Sequence, residues 1–258
     1  MLSFITFLVI VVVAYLIGSI NAALIVSRLF DLPDPRVNGS QNPGATNVLR
    51  LAGKNYAAYV LIADMLKGLL PVLLAKMLGA GPIIIAFTCL AAVIGHIYPI
   101  FFGFKGGKGV ATAIGALLGF HLILGVIVIV TWLLVANFTR YSSLASIISM
   151  LCTPFFSLYA VGSVNAFLPL MFMAMIVIYE HRYNITRLMD GKEAKINFNH
   201  PILPDSVISN PTPVKNEAPK KPLKSTAKVT KVNVEKKPVK AKKTTSKKTT
   251  SKKTASKK

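Results

Sequence analysis

The residues able to do chemistry sit in four polar stretches between long apolar runs. The first, residues 34–50, packs hydroxyl, amide and glycine residues between Arg36 and Arg50. Glycine lets a backbone approach a ligand closely. Ser40, Asn42, Thr46 and Asn47 offer neutral hydrogen bonds, and Arg50 offers a bidentate fork to a phosphate. The second pairs Gly95-His96-Ile97-Tyr98-Pro99 with Phe104-Lys105-Gly106-Gly107-Lys108-Gly109-Val110-Ala111-Thr112. Its glycines and lysines precede an apolar helix, whose free N–H groups and dipole favour an anion. It is not a Walker A loop, because Phe102 stands five before Gly107, and Gly109 follows Lys108 where Ser or Thr is required. The third, Arg140-Tyr141-Ser142-Ser143-Leu144-Ala145-Ser146, puts hydroxyls at a helix start, where Ser143 also suits an N-cap. The fourth, residues 180–193, sets His181, Asn184 and Leu188 on one helical face. A solvated turn with orienting cations explains any one of these stretches. Four together suit a substrate that carries phosphate groups.

The rest of the chain must position these residues, and it has membrane character. The 258 residues are 53% hydrophobic and 15% charged, yet their formal charge is +21. A soluble domain is usually ~25% charged, and a wholly disordered chain is poor in apolar residues. A bilayer span needs about 20 apolar residues, and the candidates are 2–26, 56–78, 82–102, 110–138, 144–159 and 165–179. Residues 2–26 lack the basic start and the small-residue cleavage site of a signal peptide. As one helix, 110–138 would be about 44 Å long. It either tilts or turns at Gly119-Phe120-His121 and crosses twice. Two crossings make seven spans and gather Arg28, Arg36, Arg50, Lys54, Lys105, Lys108, Arg140, Arg182, Arg187, Lys192 and Lys195 at one face, a positive-inside pattern. We therefore expect an all-α polytopic membrane protein of about seven transmembrane helices, with its N-terminus outside and its C-terminus cytoplasmic. Within one span, Asp64 and Lys67 either pair to fasten helices or face a polar site. Cys89 and Cys152 lie in apolar runs and read as thiols.

Most of the excess charge lies elsewhere. Residues 211–258 hold 17 lysines against Glu217 and Glu235, which leaves +6 on residues 1–210. The expected organisation is a transmembrane domain over 1–195, a polar connector over 196–210 and a disordered lysine-rich tail over 211–258. Such a tail suits contact with anionic lipid or other polyanions.

At the polar blocks the chain resembles a known family, the bacterial acyl-phosphate:glycerol-3-phosphate acyltransferases. The resemblance rests on Gly39-Ser40, Asn42, Gly44-Ala45-Thr46-Asn47 and Arg50, and on Gly95-His96, Pro99 and the run 104–112. It rests also on Arg140, Ser142-Ser143-Leu144-Ala145-Ser146-Ile147 and, over 181–193, on His181-Arg182, Asn184-Ile185, Arg187-Leu188, Gly191 and Glu193. One departure is Gln41, where the family usually has Gly. The resemblance covers about residues 1–195 and implies a seven-helix enzyme of the bacterial inner membrane, with its active site at the cytoplasmic face. It implies transfer of a fatty acyl group from acyl phosphate to the 1-hydroxyl of glycerol 3-phosphate, giving lysophosphatidic acid and inorganic phosphate, with no cofactor or metal. A monomer in contact with membrane lipids is the expected form.

Acyl phosphate is already activated, and no Ser-His-Asp arrangement is evident. The reaction mainly needs two anions held together. Arg50 and Lys108 would neutralise the phosphates. Ser40, Thr46, Asn47, Ser143, Ser146 and Asn184 would orient them, the backbone amides of Gly106, Gly107, Lys108 and Gly109 would cradle the donor, and Asn42 and Lys105 are further substrate-binding candidates. His181 is the candidate proton acceptor, unless the donor phosphate takes the proton. Two other readings are weaker. A transporter would place its site near the midplane, and a membrane anchor for a nucleic-acid-binding tail leaves the loops unexplained. His200 and Asp205 match the His-x-x-x-x-Asp spacing of other glycerolipid acyltransferases, but Pro201 and Pro204 interrupt it. Asp205→Asn should therefore leave the purified protein's turnover nearly unchanged, and a large loss would overturn this placement of the site.

Overall fold

The computed structural model describes residues 4–196. The tail at 211–258, the connector beyond Ile196 and the His200–Asp205 spacing lie outside the described residues. Every regular element among the described residues is helical. The α-helices are α1 (Phe4–Gly18), α2 (Ala22–Leu29), α3 (Ala45–Ala52), α4 (Lys54–Met77), α5 (Pro82–Ile97), α6 (Val110–Phe120), α7 (Leu122–Thr139), α8 (Ser142–Val161), α9 (Phe167–Glu180) and α10 (Arg182–Met189), with short 3-10 turns at Ile100–Phe102 and Val164–Ala166.

The first apolar run is not one uninterrupted helix, as its composition suggests. Ser19 turns its hydroxyl back to Tyr15 O (2.8 Å), which competes with the helical ladder. Asn21 then restarts the helix by accepting from Leu24 N–H (3.2 Å). Residues 110–138 also divide, at His121, whose backbone is extended (φ −151°, ψ 119°). The 11 residues of α6 reach about 16 Å at 1.5 Å per residue, roughly half a hydrocarbon core. Among the described residues, five segments are long and apolar enough to cross a membrane: Phe4–Leu29, Lys54–Met77, Pro82–Phe102, Leu122–Thr139 and Ser142–Val161. A sixth is obtained if Val164–Glu180 and Arg182–Met189, bent by 57°, are taken together. The chain is an integral membrane protein on this composition.

The core gathers buried side chains of α5, α6, α8 and α9, including Cys89, Val93, Leu117, Met150, Leu170 and Met173. Cys89 and Cys152 are both free thiols. The closest helix contact joins α4 to α6. A Cβ on Gly68 would lie 2.1 Å from Thr112 O, and one on Gly115 would lie 2.0 Å from Met65 O. Backbones this close leave room only for glycine. Gly115→Val should cost about 1–3 kcal/mol through overpacking and lower the thermal midpoint in detergent by several degrees. Gly81→Ala, with nothing within 4 Å of its Cβ position, is the matched control and should change the midpoint little.

Candidate active site

The 34–50 stretch is partly helical. Gly44, extended at φ −145°, precedes α3, so Thr46, Asn47 and Arg50 ride on a helix rather than a loop. Asn47 is 1% exposed, and its amide is fully committed. It accepts from Ser40 N–H (2.9 Å) and donates to Pro35 O and Asn38 O (both 3.0 Å). Asn47, expected to orient substrate, folds the loop that presents Ser40 and also lines the main cavity.

The glycine turn also differs from expectation. Gly106 N–H donates to Ile97 O (3.1 Å) and Gly107 N–H to His96 O (3.2 Å). These amides cap the C-terminal carbonyls of α5, which a helix end leaves unpaired. The expected cradle over Gly106–Gly109 is thereby corrected: the amides of Gly106 and Gly107 are occupied, and only Lys108 and Gly109 of the turn line the main cavity. Lys105, Gly106 and Gly107 line a second cavity of about 280 Å³, together with Arg36, Gln41 and Glu180. Gln41 holds φ +58°, a conformation that glycine adopts most readily. The turn thus keeps the glycine-like shape despite the substitution.

The main cavity measures about 290 Å³ and has two kinds of lining. Ser40, Asn42, Thr46, Asn47, Arg50, Lys108, Gly109, Ser143, Ser146, His181 and Asn184 all line it, so four stretches distant in sequence meet in one place. The rest of the lining is largely apolar: Leu61 and Met65 from α4, Val110 and Ile114 from α6, and Ile129, Trp132 and Leu133 from α7.

Two residues without an assigned role from sequence organise the polar lining. Glu193 accepts from Ser143 Oγ (2.7 Å) and Asn184 Nδ2 (2.6 Å) through Oε1, and from Arg187 Nε (2.8 Å) through Oε2. Lys108 Nζ donates to Asn184 Oδ1. Arg187 follows Asn184 by three residues, and that helical spacing is the signal that could have found it. Glu193 lies beyond α10 and has no periodic signal. Ser146 is engaged with its neighbours, donating to Ser142 O (2.8 Å) and accepting from Trp132 Nε1 (3.0 Å). His181 is 4% exposed, and its Nδ1 lies 2.8 Å from Val177 O. A ring nitrogen facing a carbonyl carries the proton, so in the neutral ring the free lone pair is on Nε2.

Burial lowers the Lys108 ammonium, and Arg187 adds to this, bringing it to about 8. Burial likewise lowers Arg50, with Glu193 opposing and Arg187 reinforcing the shift. Burial alone would raise Glu193, but its bonds from Asn184, Ser143 and Arg187 hold the carboxyl below its ordinary value. The polar lining is therefore cationic, with one ionised acid fixed inside it.

Comparison with known proteins fits this geometry. The family model described as glycerol-3-phosphate acyltransferase matches residues 8–191. A glycerol-3-phosphate acyltransferase of Legionella pneumophila (strain Corby) is 55% identical over 238 residues, covering 90% of this chain and 86% of that protein. Coverage of that extent runs into the lysine-rich segment. A glycerol-3-phosphate acyltransferase of Francisella tularensis subsp. holarctica (strain OSU18) is 52% identical over 187 residues, covering 72% of this chain and 91% of that protein. The solved structure of PlsY (YgiH), an integral membrane glycerol 3-phosphate acyltransferase in its glycerol 3-phosphate form, superposes with a TM-score of 0.71 at 41% identity, covering 74% of this chain and 96% of that one.

Lys108 loses its charge as pH rises through about 8. If that charge holds a phosphate, kcat/KM should fall on the alkaline side near this value, since kcat/KM reports the free enzyme. Lys108→Arg should move the fall to higher pH, because a guanidinium stays protonated. An unchanged pH profile in the arginine variant would remove Lys108 from this role.

Proposed function

The chain belongs to the glycerol-3-phosphate acyltransferase family, and from that premise we propose that its acyl donor is acyl phosphate and its product lysophosphatidic acid. The observation that carries this reading is one cavity lined by both cationic and apolar side chains. A phosphorylated head and a fatty chain need those two environments side by side. α6 packs against both α4 and α7, and the apolar wall draws on all three. Leu61 and Leu133 are 43% and 55% exposed, so the wall opens toward lipid. A chain lying in the bilayer would enter there.

The 1-hydroxyl oxygen of glycerol 3-phosphate attacks the acyl carbon. The bond between that carbon and the bridging phosphate oxygen breaks, and phosphate leaves with the electron pair. The hydroxyl proton passes to the departing phosphate or to His181 Nε2. Acyl phosphate is activated before it binds, so no covalent enzyme intermediate is required. Arg50, Lys108 and Arg187 offset the repulsion between two phosphates and hold the partners close, which contributes strongly in such reactions. Ser40, Thr46 and the second Nδ2 hydrogen of Asn184 orient the phosphate oxygens, with Asn42 at the same wall, while Ser143 donates its proton to Glu193 and fixes that carboxylate.

The site lies at the cytoplasmic face of the bacterial inner membrane on this reading. The positive-inside distribution supports it, and so does the water solubility of glycerol 3-phosphate. Seven crossings follow if α6 counts as a short crossing joined to α7 at His121. A monomer is proposed, whose lysine-rich sequence suits contact with anionic lipid or other polyanions.

A purified-protein assay of phosphate release from acyl phosphate tests the proposal. Release should require glycerol 3-phosphate and yield lysophosphatidic acid. No release under any condition would defeat it. His181→Ala should lower kcat without abolishing it, and complete loss with substrate binding intact would instead make His181 an essential general base.

A further inference from the structure

One buried side chain touches both flanks of Lys108 and has no part in the proposed chemistry. His96, in the last turn of α5, is 6% exposed. On one side its ring lies against Gly107, the residue before Lys108: a Cβ on Gly107 would stand 2.2 Å from His96 Nε2. On the other side His96 Nδ1 is 3.0 Å from Thr112 Oγ1, in the first turn of α6. Asp64 sets the direction of this contact. Asp64 Oδ1 is 3.4 Å from the same Nδ1 and 2.8 Å from Lys67 Nζ. A carboxylate so close repels a lone pair, so Nδ1 carries the proton and donates to its nearer neighbour, Thr112 Oγ1. Thr112 is itself fully buried, and its carbonyl is the atom against which Gly68 of α4 packs.

We propose that His96 is a positioning residue for acyl transfer: braced by Asp64, it clamps Gly107 and Thr112 and so fixes where Lys108 presents its ammonium. This deepens the reading of Lys108 as a group that holds phosphate and rests on it. The residues on either side of Lys108 are glycines, which have no side chain to hold their own conformation. Neighbours must therefore impose the shape of the turn. Gly107 N–H already donates to His96 O (3.2 Å), so the backbone and the ring of one residue hold the turn from two directions. Lys108 Nζ then reaches Asn184. The charges that face it are Arg50 on α3, Glu180 at the end of α9, Arg187 on α10 and Glu193 beyond it, with His181 close by. A group that must meet a phosphate needs its root held to a fraction of an ångström by packing and hydrogen bonds behind it.

The test reads the Lys108 amine directly. The purified full-length protein in detergent is labelled with trace acetic anhydride across a pH series, and each lysine peptide is quantified by mass spectrometry. Only the uncharged amine reacts, so the profile gives the pH at which Lys108 loses its proton, about 8 in the wild type. Thr112→Val removes one hydroxyl at nearly constant shape. It should raise that midpoint by about one pH unit, because a loosened turn relaxes the burial that lowers it. His96→Leu should do the same, and Thr112→Val carries the test where the larger change destabilises the fold. Thr112→Ser, which keeps the hydroxyl, should hold the wild-type midpoint. Lys54, exposed at the start of α4, is the internal reference and should label alike throughout. An unchanged Lys108 midpoint in folded Thr112→Val overturns the proposal, and so does an equal shift in Thr112→Ser. The alkaline fall of kcat/KM should move with the labelling midpoint, and a fall that stays in place while labelling moves defeats the link to acyl transfer. Because labelling needs no substrate, failure of the acyl phosphate assay leaves the test of the clamp separately readable.

Discussion

Cations drawn partly out of water need a counter-charge, and the site's architecture follows from that requirement. Arg50, Lys108 and Arg187 face one cavity at the edge of an apolar bundle. Glu193 supplies the counter-charge and binds three donors from two helices, α8 and α10. The segment that carries it is pinned just after the carboxylate. Ala194 O accepts from Arg50 Nη2 (3.3 Å), and Ile196 N–H donates to Arg140 O (2.7 Å). Ile196 then packs with Ala136 and Ala145. On the proposed reading, the donors offered to a phosphate are in this way held in position before substrate arrives, which is where electrostatic stabilisation has its advantage over water.

The short helix α6 meets the same requirement from the membrane side. Its N-terminus begins at the turn that carries Lys108, so the positive end of its dipole points to the cavity region. An 11-residue helix has little stability of its own. The glycine contacts at Gly68 and Gly115 lock it to α4, which also carries Asp64. Movement of α6 relative to α4 would displace the Lys108 turn and the apolar wall together. Close backbone packing therefore has a direct bearing on the geometry of the cavity.

Much of this was legible in the sequence, because membrane helices and phosphate sites both rely on residue type. Apolar runs located the helices to within a few residues, and Gly119-Phe120-His121 marked the division of 110–138. The cluster of Ser40, Thr46, Arg50, Lys108, Ser143, His181 and Asn184 followed from four stretches rich in the same few chemistries. What escaped depended on hydrogen-bond partners, which composition does not encode. Asn47 has the same side chain whether it orients a substrate or staples a loop. Gly106 and Gly107 offer amides in the sequence, but their donation to the end of α5 appears only once the chain folds back. Glu193 belongs to no helix, and its role comes from three partners brought to it by α8 and α10. The interruption at Ser19–Asn21 was masked because its flanks are uniformly apolar.

The charge balance of the cavity has a further consequence on the proposed reading. Arg50, Lys108 and Arg187 together with Glu193 leave a surplus of only about two positive charges, while Asp64 and Lys67 cancel as a pair. Two phosphate-bearing substrates bring at least as much negative charge. The surplus therefore lowers their mutual repulsion without binding either one irreversibly. After transfer, one phosphate remains attached to the lipid and the other is free. The free anion gives up its covalent link to the chain in the apolar groove and keeps only its share of a small cationic surplus. Its release is thus favoured by the same modest electrostatics that brought the two substrates together. A more cationic cavity would hold its substrates more tightly, but it would also retain the phosphate that must leave.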